Sequence, residues 1–347
     1  MRCIRACCRL LPRGRAGPVR RKSRSAEVGR RVSGNGGAGE VNRLIALDFT
    51  NLYIRAVNGK VSGGKISVDH AASVPLPGYM DADGAADQRA VADAVRGLLS
   101  SGFSGSRATV LVSKSSVISN EFVLPYEKNP IAMRNIVQGE LYKSQTSDDS
   151  ILDYTILEVF PQDGSTFCRV QAYLARRSLV ESVAEILSLA GKKPYCYTVA
   201  QHCLYQLQHL GNGFSSGDII AANVGSSRIH VTLLAQPNIS LTRSDVVMPG
   251  KQAFSDSAGH RYDVSAAMEA ATQNISKMMQ YQSIKYPGRA CDSIFIFGDT
   301  ASEEMAGGIS AALGLPVSLL PRPAAVSAPS GFLFHQYAYA TGALLEK

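Results

Sequence analysis

Apolar and polar positions along the chain alternate between two periods, and the changes of period mark out its elements. Leu44-Ile-Ala-Leu-Asp48 is an apolar run that ends on a carboxylate; the short polar turn Phe49-Thr50-Asn51 follows, and a β-rich run leaves it as far as Val57. The pattern predicts a strand, a tight turn and a returning strand, with Asp48 at the mouth of the hairpin. It recurs downstream, where Asp218 to Asn223 leads through Gly225-Ser226-Ser227 into a second run ending at Leu234. Either copy alone is an ordinary hairpin. Together they predict two similar lobes facing each other, with a phosphate chain able to lie between the turns on backbone N–H groups and small hydroxyls.

The remaining segments fill in around these two hairpins. A third strand over 65–74 closes at Pro75 and Pro77, and a polar loop covers 78–88. Val91, Val95, Leu98 and Leu99 fall at helical spacing before Gly102. Strands are predicted over 108–112 and 118–124. Asn129-Pro130 then opens a helix with Ile131, Ile136, Val137 and Leu141 on one face. A hairpin over 153–160 and 167–175 precedes a helix that starts at a capping box, Ser178 with Glu181, and stops at Gly191. Further strands are predicted around 195–199, over 239–247, at 292–297 and at 315–320. Helices end near Gly211, run from Asp263, start at a second capping box (Thr300 with Glu303), and close the chain over 335–345. Hairpins alternating with helices in two halves predict an α/β fold of mixed sheets covered by helices, built twice.

Charge changes the picture at one end only. Residues 1–43 hold twelve Lys/Arg against two Glu, a local +10; the whole chain carries +8, so the body is near −2. That excludes a basic stripe for nucleic acid on the folded body. Residues 1–40 are Arg-, Gly- and Ser-rich with almost no apolar periodicity, and we read them as an unfolded, dispensable tail, an upstream extension before a start near Val32 or Val41, the alternatives being a transit peptide or a nucleic-acid arm. No run of about 18 apolar residues is present to form a membrane-spanning helix. The six histidines are dispersed, and the chain has no HExxH, P-loop, Gly-x-Ser-x-Gly or paired CxxC.

Read in order, the motifs resemble the actin-like ATPase superfamily and, within it, the PilM family of type IV pilus assembly, over about 42–347. The first hairpin with Ala-Ser-Val-Pro-Leu-Pro77 is similar to the PilM opening. Leu124-Pro125, Glu140-Leu141 and Asp153-Tyr154-Thr-Ile-Leu157 resemble the family's Leu-Pro, helix-ending Glu and Asp-Tyr strand opening. Ala175-Arg176-Arg177, Leu189-Ala190-Gly191 and the closing Tyr339-Ala-Thr-Gly342-Ala-Leu344 match its further positions in order. The resemblance implies a two-lobed actin-like (ribonuclease H-like) fold: a first lobe from 41–78, 193–216 and 321–347, an inserted α/β subdomain at 79–192, and a second lobe at 217–320. It implies ATP with Mg²⁺ between the lobes, at Asp48 (the metal-side acid), Thr50, Asn51, Asn223, Gly225, Ser226, Ser227, Gly298 and Asp299. It also implies a cytoplasmic protein docking the N-terminal peptide of a PilN-like inner-membrane partner beside the insert, where Ile136, Val137, Glu140 and Leu141 are the expected contacts.

The departures set the expected activity. The first turn has no glycine, so side chains hinder the approach of backbone to phosphate. Asn223 stands where the family has an acid, removing a charge that a hard cation wants. The family's triple glycine is reduced to Gly298-Asp299-Thr300, and its glycine pair to Pro249-Gly250. These changes predict weak nucleotide binding or none, and little or no hydrolysis. The alternatives are an active sugar or acid kinase, which needs intact phosphate turns, and an FtsA-like division protein, which needs a C-terminal membrane-binding helix.

Overall fold

In a computed structural model of the chain, the described residues are 43–346 apart from 79, 82–83, 113–116, 145–148, 226, 236–237, 248–253 and 256–260. The basic tail, Ser226 and Pro249-Gly250 therefore lie outside them.

The chain opens as a meander, β1 (Leu44–Asp48), β2 (Tyr53–Ser62) and β3 (Lys65–Pro75), followed by the two-residue strands β4 (Met80–Asp81) and β5 (Gly84–Ala85) and helix α1 (Gln88–Leu99). Strand β6 (Arg107–Val112) comes next. Then follow β7 (Val117–Pro125), α2 (Pro130–Ser144), β8 (Ser150–Gln162), β9 (Ser165–Arg176) and α3 (Arg177–Leu189). After β10 (Lys193–Val199) and α4 (Ala200–Gln208), a second meander is built by β11 (Asp218–Val224), β12 (Arg228–Ala235) and β13 (Asn238–Val246). Two short strands, β14 (Phe254–Ser255) and β15 (Arg261–Tyr262), precede α5 (Val264–Lys285), β16 (Cys291–Phe297) and α6 (Glu303–Leu313). The chain finishes with β17 (Val317–Leu319), β18 (Val326–Ser327) and α7 (Phe334–Ala343).

Three main sheets result. The first runs β10-β6-β1-β2-β3-β18, the second β13-β12-β11-β16-β17, and the third β7-β9-β8. In each of the first two, an antiparallel three-stranded meander is extended by parallel strands on the side of its first strand. That is the duplication legible in the two hairpins.

Strand parity distributes the cores. Ile45 and Leu47 point to one face of the first sheet, where α1 and α3 cover them with Val91, Val95, Val183 and Ile186. Ala46, one position out of phase, points to the other face, toward α4, α7 and the inward residues Ile219, Ala221, Phe295 and Phe297 of the second sheet. The two lobes thus share one apolar core. The outer face of the second sheet is closed by α5 and α6. Helices α4 and α7 approach closely because Gly342 has no side chain: a Cβ there would stand 2.5 Å from the Cys203 carbonyl oxygen.

Three sequence expectations need correction. The expected insert, 79–192, is too wide: β6 lies inside the first sheet, paired with both β1 and β10, and α1 and α3 cover that sheet. The separate sheet takes only β7, β8 and β9, with α2 on it. Ser178 does not cap a helix; β9 runs directly into α3, whose N-cap is Arg176 with no side-chain cap bond. At α6 the cap is Ser302, whose Oγ accepts from the Met305 N–H at 3.1 Å. Thr300 serves the cleft instead.

Candidate functional site

The parallel strands of the first sheet deliver three chain ends to one edge, the usual position of sites in such sheets. Asp48 ends β1 and is 3% exposed. Its Oδ1 accepts the Thr50 N–H at 2.8 Å, which folds the turn through the acid's own side chain. Burial pushes the Asp48 carboxyl up, against the opposing pull of the Arg55 guanidinium and of Thr50.

The matching turn of the second lobe follows β11. The Gly225 N–H donates to the Arg228 carbonyl at 2.9 Å and closes it. A side chain at Gly225 would put a Cβ 2.5 Å from Asn51 Oδ1, so this glycine is required by the opposite lobe. Ser227 is half-buried beside it, its carbonyl accepting the Val247 N–H at 2.9 Å. Gly298, at the end of β16, has φ +108, and a Cβ there would meet the Val224 carbonyl at 2.9 Å. The hydroxyl of Thr300 donates to that same carbonyl at 2.9 Å.

Two polar links join the turns across the cleft. Asn51 Nδ2 donates to Asn223 Oδ1 at 3.0 Å, between residues that are both buried. Arg55, on β2 and paired in register with Asp48, forms an ion pair with Asp299, both side chains 6% exposed. Of the expected nucleotide-site residues, Asp48, Thr50, Asn51, Asn223, Gly225, Ser227, Gly298 and Asp299 do converge. Sequence reasoning missed Arg55, although its place opposite Asp48 in the hairpin register was available. It also missed Gln201, on the first turn of α4 at the same sheet edge, 3% exposed with neither amide atom hydrogen-bonded.

A magnesium nucleotide does not fit the residues as they stand. Asn223 presents an amide oxygen already taken by Asn51, Arg55 is taken by Asp299, and burial favours the neutral form of Asp48. A hard cation wants charged oxygens, and phosphates want free donors.

The expected partner contacts fall elsewhere. Val137 and Leu141 are fully buried in the core between α2 and the third sheet, against Met133, Cys168 and Val170, so they cannot face a partner. Ile136 packs against the same core, and Glu140 accepts from Lys143 Nζ at 2.7 Å one turn along α2. A small apolar cavity of about 20 Å³, roughly one water's worth, lies where the third sheet meets the first lobe, lined by Val117, Ile151, Asp153, Tyr173, Val180 and Tyr197. Burial raises the Asp153 carboxyl to about 6, against the Tyr154 backbone N–H and Arg134. Among the described residues no helix is long and apolar enough to cross a membrane, and no cluster of metal-ligating side chains is present.

Two facing hairpin turns on duplicated mixed sheets, joined by a shared core, define an actin-like two-lobed α/β protein with an inserted α/β subdomain. Residues 46–287 match the family model described as type IV pilus assembly protein PilM, and the chain belongs to that family. A solved PilM–PilN type IV pilus biogenesis complex is similar in fold, with TM-score 0.71 and 17% identity over 87% of this chain and 97% of that one. More distant are the cytoplasmic domain of EpsL from the Vibrio cholerae type II secretion system (TM-score 0.46, 12% identity, 88% and 96% covered) and a Bacteroides thetaiotaomicron protein with actin-like ATPase fold (0.45, 10%, 84% and 95%). No curated protein matches the chain.

Proposed function

We propose that this chain is a cytoplasmic, actin-like scaffold of type IV pilus assembly. It docks the N-terminal peptide of a PilN-like inner-membrane protein, and its nucleotide-type cleft does no hydrolysis. The observation that carries the docking site is the edge of the third sheet: β7 and β8 are both edge strands, and Ile118 and Val123 are exposed on β7. An extended apolar peptide suits such an edge, where unpaired backbone groups and exposed apolar side chains can meet it. The absence of hydrolysis is supported by the amide at Asn223 and the two polar links across the cleft. The kinase reading needs an open cleft with two acids and is not favoured by these contacts.

The test is a photo-crosslinking scan with the full chain and the partner's cytoplasmic peptide. Probes at Ile118 and Val123, exposed on β7, should trap the peptide; a probe at Val264, exposed at the head of α5, should not. The reverse pattern would move the interface to the second lobe and refute this reading.

A further inference from the structure

We infer that Asp299 is an internal stand-in for a polyphosphate: its carboxylate occupies the guanidinium of Arg55, the cleft's own anion-binding cation, and holds the two lobes closed. The inference rests on reading the cleft as a nucleotide-type site and is independent of where a peptide docks.

Four observations lead to it. Arg55 lies beside Asp48 in the β1–β2 register, so its side chain stands at the mouth of the first turn, where an anion between the turns would meet it. That side chain is buried, and its partner comes from the other lobe, 244 residues away in sequence. Asp299 follows directly on Gly298, whose left-handed backbone and N–H bond to the His335 carbonyl, 2.9 Å, fix where the carboxylate begins. The second link, Asn51 to Asn223, ties the two turns themselves.

An entering polyphosphate must therefore displace an acid from Arg55 and an amide from Asn223. The competing acid is part of the chain, so its effective concentration is far above that of any free anion. Charge-assisted pairing is strong for carboxylate and phosphate alike, and the tethered one wins at ordinary ligand levels. Removing only the negative charge of Asp299 leaves the buried Arg55 with Asp48 alone beside it, a carboxyl that burial holds toward its neutral form, so the guanidinium is short of an anion. The class of ligand is then a pyrophosphate or nucleoside polyphosphate, recognised through Arg55 and through the Nδ2 of Asn51, a donor that the ligand must first take from Asn223.

The experiment titrates inorganic pyrophosphate into the full chain, with sodium chloride at matched ionic strength as control, and follows the melting temperature. Wild type should show little response. Asp299→Asn should rise with pyrophosphate and bind it at least about tenfold more tightly than wild type, since charge-assisted bonds to a freed guanidinium replace an internal pair. The double variant Arg55→Gln, Asp299→Asn should lose the gain. A folded Asp299→Asn with no gain overturns the inference, as does a gain that survives in the double variant. Should Asp299→Asn fail to fold in buffer, refolding in millimolar pyrophosphate should recover it, and no recovery overturns the inference equally. Failure of the peptide crosslinks leaves this result untouched, so the two readings fall separately.

Discussion

Asp153→Asn should stabilise the protein at neutral pH, and the stabilisation should shrink on acidification. The carboxyl lines the small cavity between the third sheet and the first lobe, and burial raises it from its ordinary 3.8 to about 6. A carboxyl that is harder to ionise when folded binds more protons in the native state between those two values. Its contribution to stability is fully present below the unfolded pKa and is lost as pH rises through the folded one. A shift of about two units is worth about 3 kcal/mol at most, which is the ionisation cost the wild type carries at pH 7. The asparagine carries none of it and keeps a polar head of similar shape. The amide must in turn find hydrogen-bond partners at the same half-buried place, a cost that does not depend on pH, so a net gain of about 1–2 kcal/mol near pH 7.5 is the expected size. Lowering the pH to about 5 should reduce the difference between variant and wild type by about 1.4 kcal/mol, the part of the linkage integral between those conditions. Urea denaturation of both proteins at the two pH values measures it directly. A difference that is constant with pH, or that grows toward acid, refutes the argument that desolvation of the Asp153 carboxylate outweighs the pull of Tyr154 and Arg134.

Three further outcomes follow from the packing and the cleft. Gly342→Ala gains about 1 kcal/mol of helix propensity but forces a Cβ to 2.5 Å from the Cys203 carbonyl. Overpacking of about 1–3 kcal/mol should outweigh it, lowering the urea midpoint. Leu141→Ala should cost about 2–5 kcal/mol of stability, as for a fully buried leucine, while peptide affinity of the folded fraction stays unchanged; a selective loss of binding would return Leu141 to the partner interface. Asn223→Asp keeps an acceptor for Asn51 and should fold, yet calorimetry should detect no Mg-ATP binding while Asp299 holds Arg55. Tight binding by that single variant would show the cleft to be open.

What was legible in the sequence was local. Continuous apolar runs ending at polar turns, Leu44–Asp48 and Asp218–Val224, marked both hairpins, because a strand buried on both faces is written in consecutive residues. Asn129 and Asp263 marked helix starts because a cap is a contact over a few positions; Asn129 Oδ1 accepts from Ile131 and Asp263 Oδ1 from Ala266. Capping was misread where two hydroxyls competed: Thr300 and Ser302 both precede α6, and only the fold shows that Val224 claims the first. The face of α2 was read as apolar and given the wrong neighbour, since periodicity records that a stripe is buried and not what buries it; Ile136, Val137 and Leu141 do turn to the core, but Ile131 is 72% exposed and Met133 takes its place. The insert was drawn too wide for the same reason. Arg107–Val112 looks like any buried strand, and its pairing with β1 and β10 is a property of chain segments about 60 and 85 residues distant in number. The cleft shows the limit most sharply. Its turns could be found in the sequence, but the facts that decide its chemistry, Asn51 on Asn223 and Arg55 on Asp299, span 172 and 244 positions. A degenerate motif read alone says that a ligand is held less well. Only the partners of the altered residues say that the chain has put its own side chains where the ligand would bind, and that is a difference in mechanism rather than in strength.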